Sequence, residues 1–95
     1  MFIEQVPRMF NLLNIRAIDD KYTGVYGLFR EGVWIYVGKG NIRQRLLSHL
    51  NGDNTDITLQ RPTHFVDEIW QDPQMSLREK QLIVSLKPAC NKKAS

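Results

Sequence analysis

Two tyrosines, Tyr26 and Tyr36, an Arg45/His49 pair spaced four apart and a carboxylate, Glu79, at the head of an apolar stripe are the residues whose types and spacing could do chemistry. An arginine offers a planar fork of N–H donors that suits a phosphate, and a histidine beside it accepts or relays a proton near neutral pH. On a helix, residues four apart share a face, so Arg45 and His49 fall together on one border of the stripe made by Ile42, Leu46, Leu47 and Leu50. Taken alone, this pair reads as an ordinary helix boundary. Glu79 precedes Leu82, Ile83 and Leu86 by three, four and seven residues, which sets it at the head of the buried stripe of its helix. A carboxylate facing the core needs a partner, because burying it unpaired is costly. A divalent cation would serve. Ser76 and Glu79 also match a capping box, in which the glutamate returns to the Ser76 backbone N–H, and this helix by itself favours the cap.

The elements that must position these residues begin with GVYGLFREGVWIYVGKGNIRQRLLSHL, residues 24–50, a hairpin that runs at once into a helix. A loop of Glu31-Gly32 alone would set Tyr26 against Val37 and send the tyrosines to opposite faces of the sheet. A three-residue loop, Arg30-Glu31-Gly32, with glycine at the left-handed position of a bulged turn, sets Tyr26 directly opposite Tyr36. Leu28 and Trp34 then share their face, and Val25, Phe29, Val33, Ile35 and Val37 form the other. Aromatic pairs across a hairpin are also consistent with a structural role alone. Asn41 is the expected N-cap of the following helix, and Lys39-Gly40 lie just before it, where free backbone N–H groups attract anions. A nucleotide P-loop is excluded: five residues separate Gly32 from Gly38, and Lys39 is followed by Gly40.

Elsewhere the apolar pattern of residues 8–16 fits a short helix or a strand equally well. The turn-rich run 51–62 predicts a loop, THFVDEIW at 63–70 a third strand, and 76–86 a helix ended by Pro88.

With 95 residues, 42% hydrophobic and 24% charged, the chain has the composition of one small globular domain, 1–95. No apolar run approaches the ~18 residues of a membrane span, and Glu4, Pro7 and Arg8 interrupt any signal-like stretch, so a cytoplasmic protein is expected. A single cysteine, Cys90, excludes an internal disulfide framework and a Cys-rich zinc site. The net charge of +3 is unevenly spread: residues 32–52 hold Lys39, Arg43 and Arg45 without an acid, and residues 80–95 hold Lys80, Lys87, Lys92 and Lys93 without one. Segregated basicity on a small domain points to a polyanion, nucleic acid first, although solvated surface lysines give the same pattern.

Together these pieces resemble the GIY-YIG nuclease family over Gly24–Asn91. GVY (24–26) is similar to the first signature, YVG (36–38) to the second, Arg45 and His49 to the R-x-x-x-H helix, and E-x-x-L-I-x-x-L-K-P-x-x-N from Glu79 to Asn91 to the C-terminal motif. Valine replaces isoleucine at Val25 and Val37 and keeps the β-branched shape. The resemblance implies an α+β fold with a small antiparallel three-stranded sheet flanked by helices, residues 1–23 packing on it as an extension. It further implies a metal-dependent endonuclease that hydrolyses DNA phosphodiester bonds, with Tyr26, Tyr36, Arg45, His49, Glu79 and Asn91 at the site. Glu79 would hold Mg²⁺ or Mn²⁺ and Tyr26 would be the general base, His49 being the other choice, while Lys39, Arg43, Lys87, Lys92 and Lys93 would contact nucleic acid. RNA stays open as a substrate. Specificity would come from a homodimer or a partner protein, and the rival reading is a non-catalytic nucleic-acid-binding module on the same fold.

Overall fold

Alternating β-branched and aromatic residues build the two long strands, β2 (Thr23–Arg30) and β3 (Val33–Asn41), which pair antiparallel as the central hairpin. β4 (His64–Ile69) joins β2 antiparallel on its other side. The sheet has four strands rather than the expected three, in the order β1-β4-β2-β3, because Arg8 and Met9 pair with Phe65 and His64 as a two-residue edge strand, β1. Asn11 then caps a one-turn helix, α1 (Leu12–Arg16), so the ambiguous run 8–16 resolves into both structures. The structure, a computed structural model, describes residues 1–91. The contacts expected of Lys92 and Lys93 lie outside the described residues.

The hairpin register differs from the expected one. Glu31 and Gly32 form a two-residue loop with φ of 50° and 78°, a left-handed pair whose twist matches that of the flanking strands. Arg30 pairs with Val33 and Phe29 with Trp34, but Leu28 pairs with Tyr36, so Ile35 is an extra residue in a β-bulge. The bulge reverses the inside-outside alternation once. Tyr26 and Tyr36 therefore do share a face, yet Tyr26 lies opposite Gly38, one pair diagonal from Tyr36. Ile35 moves into the core beside Tyr26 and Leu28, and Trp34 turns to the opposite face against Phe2 and Phe29. Gly38 is needed at its position because a Cβ there would clash with the Tyr26 hydroxyl.

Helices cover both faces of the sheet. On the tyrosine face, Tyr26, Leu28, Ile35 and Phe65 pack against Ile15, Ile18, Ile42, Leu46 and Ile57 from α1, α2 (Ile42–Leu50) and α3 (Thr55–Gln60). Each fully buried aliphatic side chain contributes about 1.5–3 kcal/mol. α3 lies where a loop was expected. One buried residue, Ile57, anchors it and the Asn54 side chain caps it, too little for any periodic signal. On the other face, Leu82 of α4 (Gln74–Leu86) closes over Val25 and Val37, with Phe2 and Trp70 at the margin. Asn41 caps α2 as expected, its side chain accepting the Gln44 N–H. The capping box at α4 is not formed: the helix starts at Gln74, and the Ser76 N–H donates instead to Asp72 at 3.0 Å. No helix among the described residues is long and apolar enough to cross a membrane.

Candidate active site

The first half of the site is a packed polar network between the hairpin and α2. Asn41 starts α2 so that Leu46 points into the core and Arg45 and His49 flank the tyrosine face. The His49 ring lies 5.6 Å from the Tyr26 ring and 5.1 Å edge-on from that of Tyr36. The Tyr26 hydroxyl is 2.8 Å from His49 Nε2, and His49 Nδ1 is 2.9 Å from Asp53 Oδ1. Arg45 completes the cluster, with Nη2 3.9 Å from Asp53 Oδ2 and its charge beside both tyrosine hydroxyls. Nothing in the sequence pattern singled out Asp53. The available signal was its spacing, four residues beyond His49 and eight beyond Arg45, which carries the helix face on into the following turn.

The two tyrosines differ in what can reach them. Tyr26 is 0% exposed, and Tyr36 is only half-buried. Burial, then the Tyr36 charge, pushes the Tyr26 hydroxyl well above the ordinary phenol value against the pull of Arg45. Tyr36 is also raised, by burial first, with Arg45 lowering it and Glu79 raising it. A base must touch the water it deprotonates, so the buried hydroxyl of Tyr26 does not suit the role the resemblance gave it. Burial likewise lowers the His49 pKa from its ordinary value while Asp53 opposes the shift. The neutral ring prevails near pH 7.

The second half of the site comes from the other layer, around the β3 edge. Glu79 projects from α4 half-buried, and among the described residues its carboxylate has no hydrogen-bond or ion-pair partner. Burial raises its pKa, with Lys39 opposing and Asp72 adding to the rise. Lys39 itself is exposed and donates to Ser76 Oγ at 2.7 Å. A groove of about 450 Å³ is lined by Glu79, Lys80, Ile83, Val84 and Asn91. Asn91 bonds both backbone groups of Val37, accepting its N–H at 2.8 Å and donating to its carbonyl at 2.9 Å. That pairing fixes the strand between Tyr36 and Gly38. Arg43 stands about 200° around α2 from Arg45, apart from the network, and Lys87 is exposed at the left-handed C-cap of α4.

The donor set fits a divalent cation of the magnesium type. No group of three His, Cys, Asp or Glu gathers among the described residues, so a caged zinc or calcium site is not built here. Magnesium keeps most of its waters and binds through one or two carboxylates and substrate phosphates. A half-buried carboxylate beside an open groove, without a partner among the described residues, meets that requirement.

The sequence matches no protein-family model and no curated protein. Solved structures do match. The magnesium-bound GIY-YIG N-terminal endonuclease domain of UvrC from Thermotoga maritima is 25% identical, with a TM-score of 0.69 over 83% of this chain and 97% of that one. A tyrosine-to-phenylalanine point mutant of the same domain, bound to its catalytic divalent cation, is also 25% identical at a TM-score of 0.69, over 84% and 97%. The chain has a GIY-YIG-like fold, an α+β arrangement of helices around an antiparallel sheet.

Proposed function

We propose that residues 1–95 form one divalent-metal-dependent endonuclease domain that hydrolyses phosphodiester bonds of DNA by in-line attack of water. The observation that carries this reading is the meeting of a satisfied Tyr26–His49–Asp53 network, which flanks Arg45, with a carboxylate, Glu79, that has no partner among the described residues and lies in electrostatic reach of Tyr36. Glu79 holds Mg²⁺ or Mn²⁺. A cation held by the Glu79 carboxylate would supply Lewis-acid polarisation of the phosphate and charge for the leaving oxygen, and the Glu79 charge that raises the Tyr36 hydroxyl would then be neutralised. Arg45 stabilises charge that develops on the phosphoryl oxygens.

Tyr36, the accessible tyrosine, meets the attacking water. Its phenolate takes one proton, the water oxygen bonds to phosphorus, and the leaving oxygen departs with the bonding electrons and is protonated by solvent. Even at an ordinary pKa near 10 only about 0.1% of a tyrosine is ionised at pH 7, and burial raises Tyr36 above that, so the role requires the Arg45 charge beside the hydroxyl and neutralisation of Glu79 to offset the rise. Tyr26 and His49 hold the network rather than touch water. Asn91 keeps Tyr36 aimed through Val37. Lys39, Arg43, Lys87, Lys92 and Lys93 supply contacts to the DNA backbone that do not depend on sequence. A homodimer or a partner protein adds specificity, and the protein acts in the cytoplasm.

The test is nicking of supercoiled plasmid with Mg²⁺, with Mn²⁺ and with a chelator, followed by branched, single-stranded, duplex and RNA substrates. Metal-dependent cleavage is expected. Binding without cleavage of any substrate would leave the chain a nucleic-acid-binding module.

A further inference from the structure

We infer that Asp53 is a positioning residue of this site, fixing the proton on His49 Nδ1 and thereby making the Tyr26 hydroxyl donate to Nε2, with its lone pairs left to face Arg45. The inference rests on the nuclease reading for its consequence, but the geometry stands apart from it. A carboxylate can only accept, so the 2.9 Å contact from Nδ1 to Asp53 Oδ1 requires the proton to sit on Nδ1. In the neutral ring Nε2 is then an acceptor. The Tyr26 hydroxyl, 2.8 Å away and sealed from solvent, must donate to it.

This chain of donors leaves the lone pairs of the Tyr26 oxygen for the guanidinium of Arg45 beside it. Asp53 also reaches Arg45 directly, at 3.9 Å from its second oxygen. One carboxylate therefore governs Arg45 by two routes. The groups facing His49 are Tyr26 on β2, Tyr36 on β3, Arg45 on α2 and Asp53 just after α2. If His49 gains a second proton, Nε2–H donates to the Tyr26 oxygen and competes with Arg45 for it. Turnover should then fall at low pH, as the ring charges.

The test compares His49 ring tautomers by ¹⁵N NMR in the wild type, Asp53→Ala and Asp53→Glu, and follows the pH dependence of cleavage in each. The wild type should carry its proton on Nδ1, and Asp53→Ala should shift it to Nε2. Turnover of Asp53→Ala should drop roughly 10²-fold with DNA affinity retained, Asp53→Glu restoring part of it. The acid limb of Asp53→Ala should move to lower pH, because removing the carboxylate makes His49 harder to protonate. A proton on Nε2 in the wild type, an unchanged tautomer in Asp53→Ala, or wild-type turnover of that variant would overturn the inference. Should Asp53→Ala not fold, the wild-type tautomer decides. Should the wild type not cleave, the nuclease reading falls, and the tautomer comparison still decides what Asp53 does.

Discussion

Two carboxylates served from the same helical layer behave in opposite ways. Glu68, on β4, is buried and accepts four hydrogen bonds: from Ile3 N–H, from Trp70 Nε1 and two from Arg78. These bonds pull its pKa below the ordinary carboxylate value despite burial. Glu79, the residue after Arg78 on α4, is more exposed, has no such partner among the described residues, and burial raises its pKa. Burial alone does not tell a structural acid from a functional one. What separates them is whether the described residues supply donors: Glu68 has four, and Glu79 has none, which is what the proposed metal site requires.

Replacing each carboxylate's partner structure should break that comparison cleanly. Glu79→Gln should lose about 10³-fold or more in cleavage, near 4 kcal/mol of transition-state stabilisation. Its stability should be unchanged or slightly higher. A carboxylate whose pKa is raised on folding costs stability above that pKa, and the amide carries no such cost. Mg²⁺ should raise the melting temperature of the wild type by mass action and leave that of Glu79→Gln alone. Cleavage at the wild-type rate by Glu79→Gln would remove the metal from Glu79.

Arg78→Ala is the converse experiment. It strips a buried carboxylate of its cation and should cost about 3 kcal/mol of stability, read by urea unfolding, while the residual folded protein cleaves normally. The pH dependence follows the same sign rule. Because the Glu68 pKa is lowered in the folded state, its contribution is full above the unfolded value and is lost as pH falls through the folded one. Acid unfolding of the wild type should therefore be steeper than that of Glu68→Gln. Equal acid profiles would mean that the Glu68–Arg78 pair does not contribute to stability.

The basic residues separate turnover from affinity, and the effects on affinity are the smallest. Arg45→Ala should lower turnover by about 10²–10³-fold with only modest loss of DNA affinity, as expected of a group that acts on the transition state. Lys39→Ala and Lys87→Ala should do the reverse, weakening binding and flattening its salt dependence by about one unit of slope each, with single-turnover cleavage of bound DNA nearly unchanged for Lys87→Ala. A salt titration of affinity across these variants separates the two groups. An unchanged slope would take that lysine off the DNA surface.

Several features of the site were legible from residue types and spacing. The resemblance carried by GVY, YVG, the Arg45/His49 helix and Glu79 implied the α+β arrangement, though with three strands where there are four, and the Asn41 cap was readable because capping is a local hydrogen bond. The shared tyrosine face was reached through a different register. A two-residue loop and a bulge at Ile35 give the same parity as the three-residue loop first expected, so side-chain alternation could not tell them apart. α3 was missed because one buried isoleucine leaves no period. The Ser76–Glu79 cap failed because Asp72 competes successfully for Ser76 and the helix begins two residues earlier.

The sequence by itself determined the chemistry on offer: which side chains carry donors, protons and charge, in what order, and on which helix faces, since those follow from local geometry and a period. Only the tertiary structure decided which of them are sealed and which are open. Tyr26 and Tyr36 look alike along the chain, yet one is closed beneath α2 against Gly38 and the other is half-open at the β3 edge. Glu68 and Glu79 differ in the same way, and so does Asp53, an unremarked loop acid that the end of α2 brings onto His49. Solvent access and the completion of hydrogen bonds depend on segments distant in sequence, such as Ile3 on Glu68 and Asn91 on Val37, and no local pattern encodes which of them will meet.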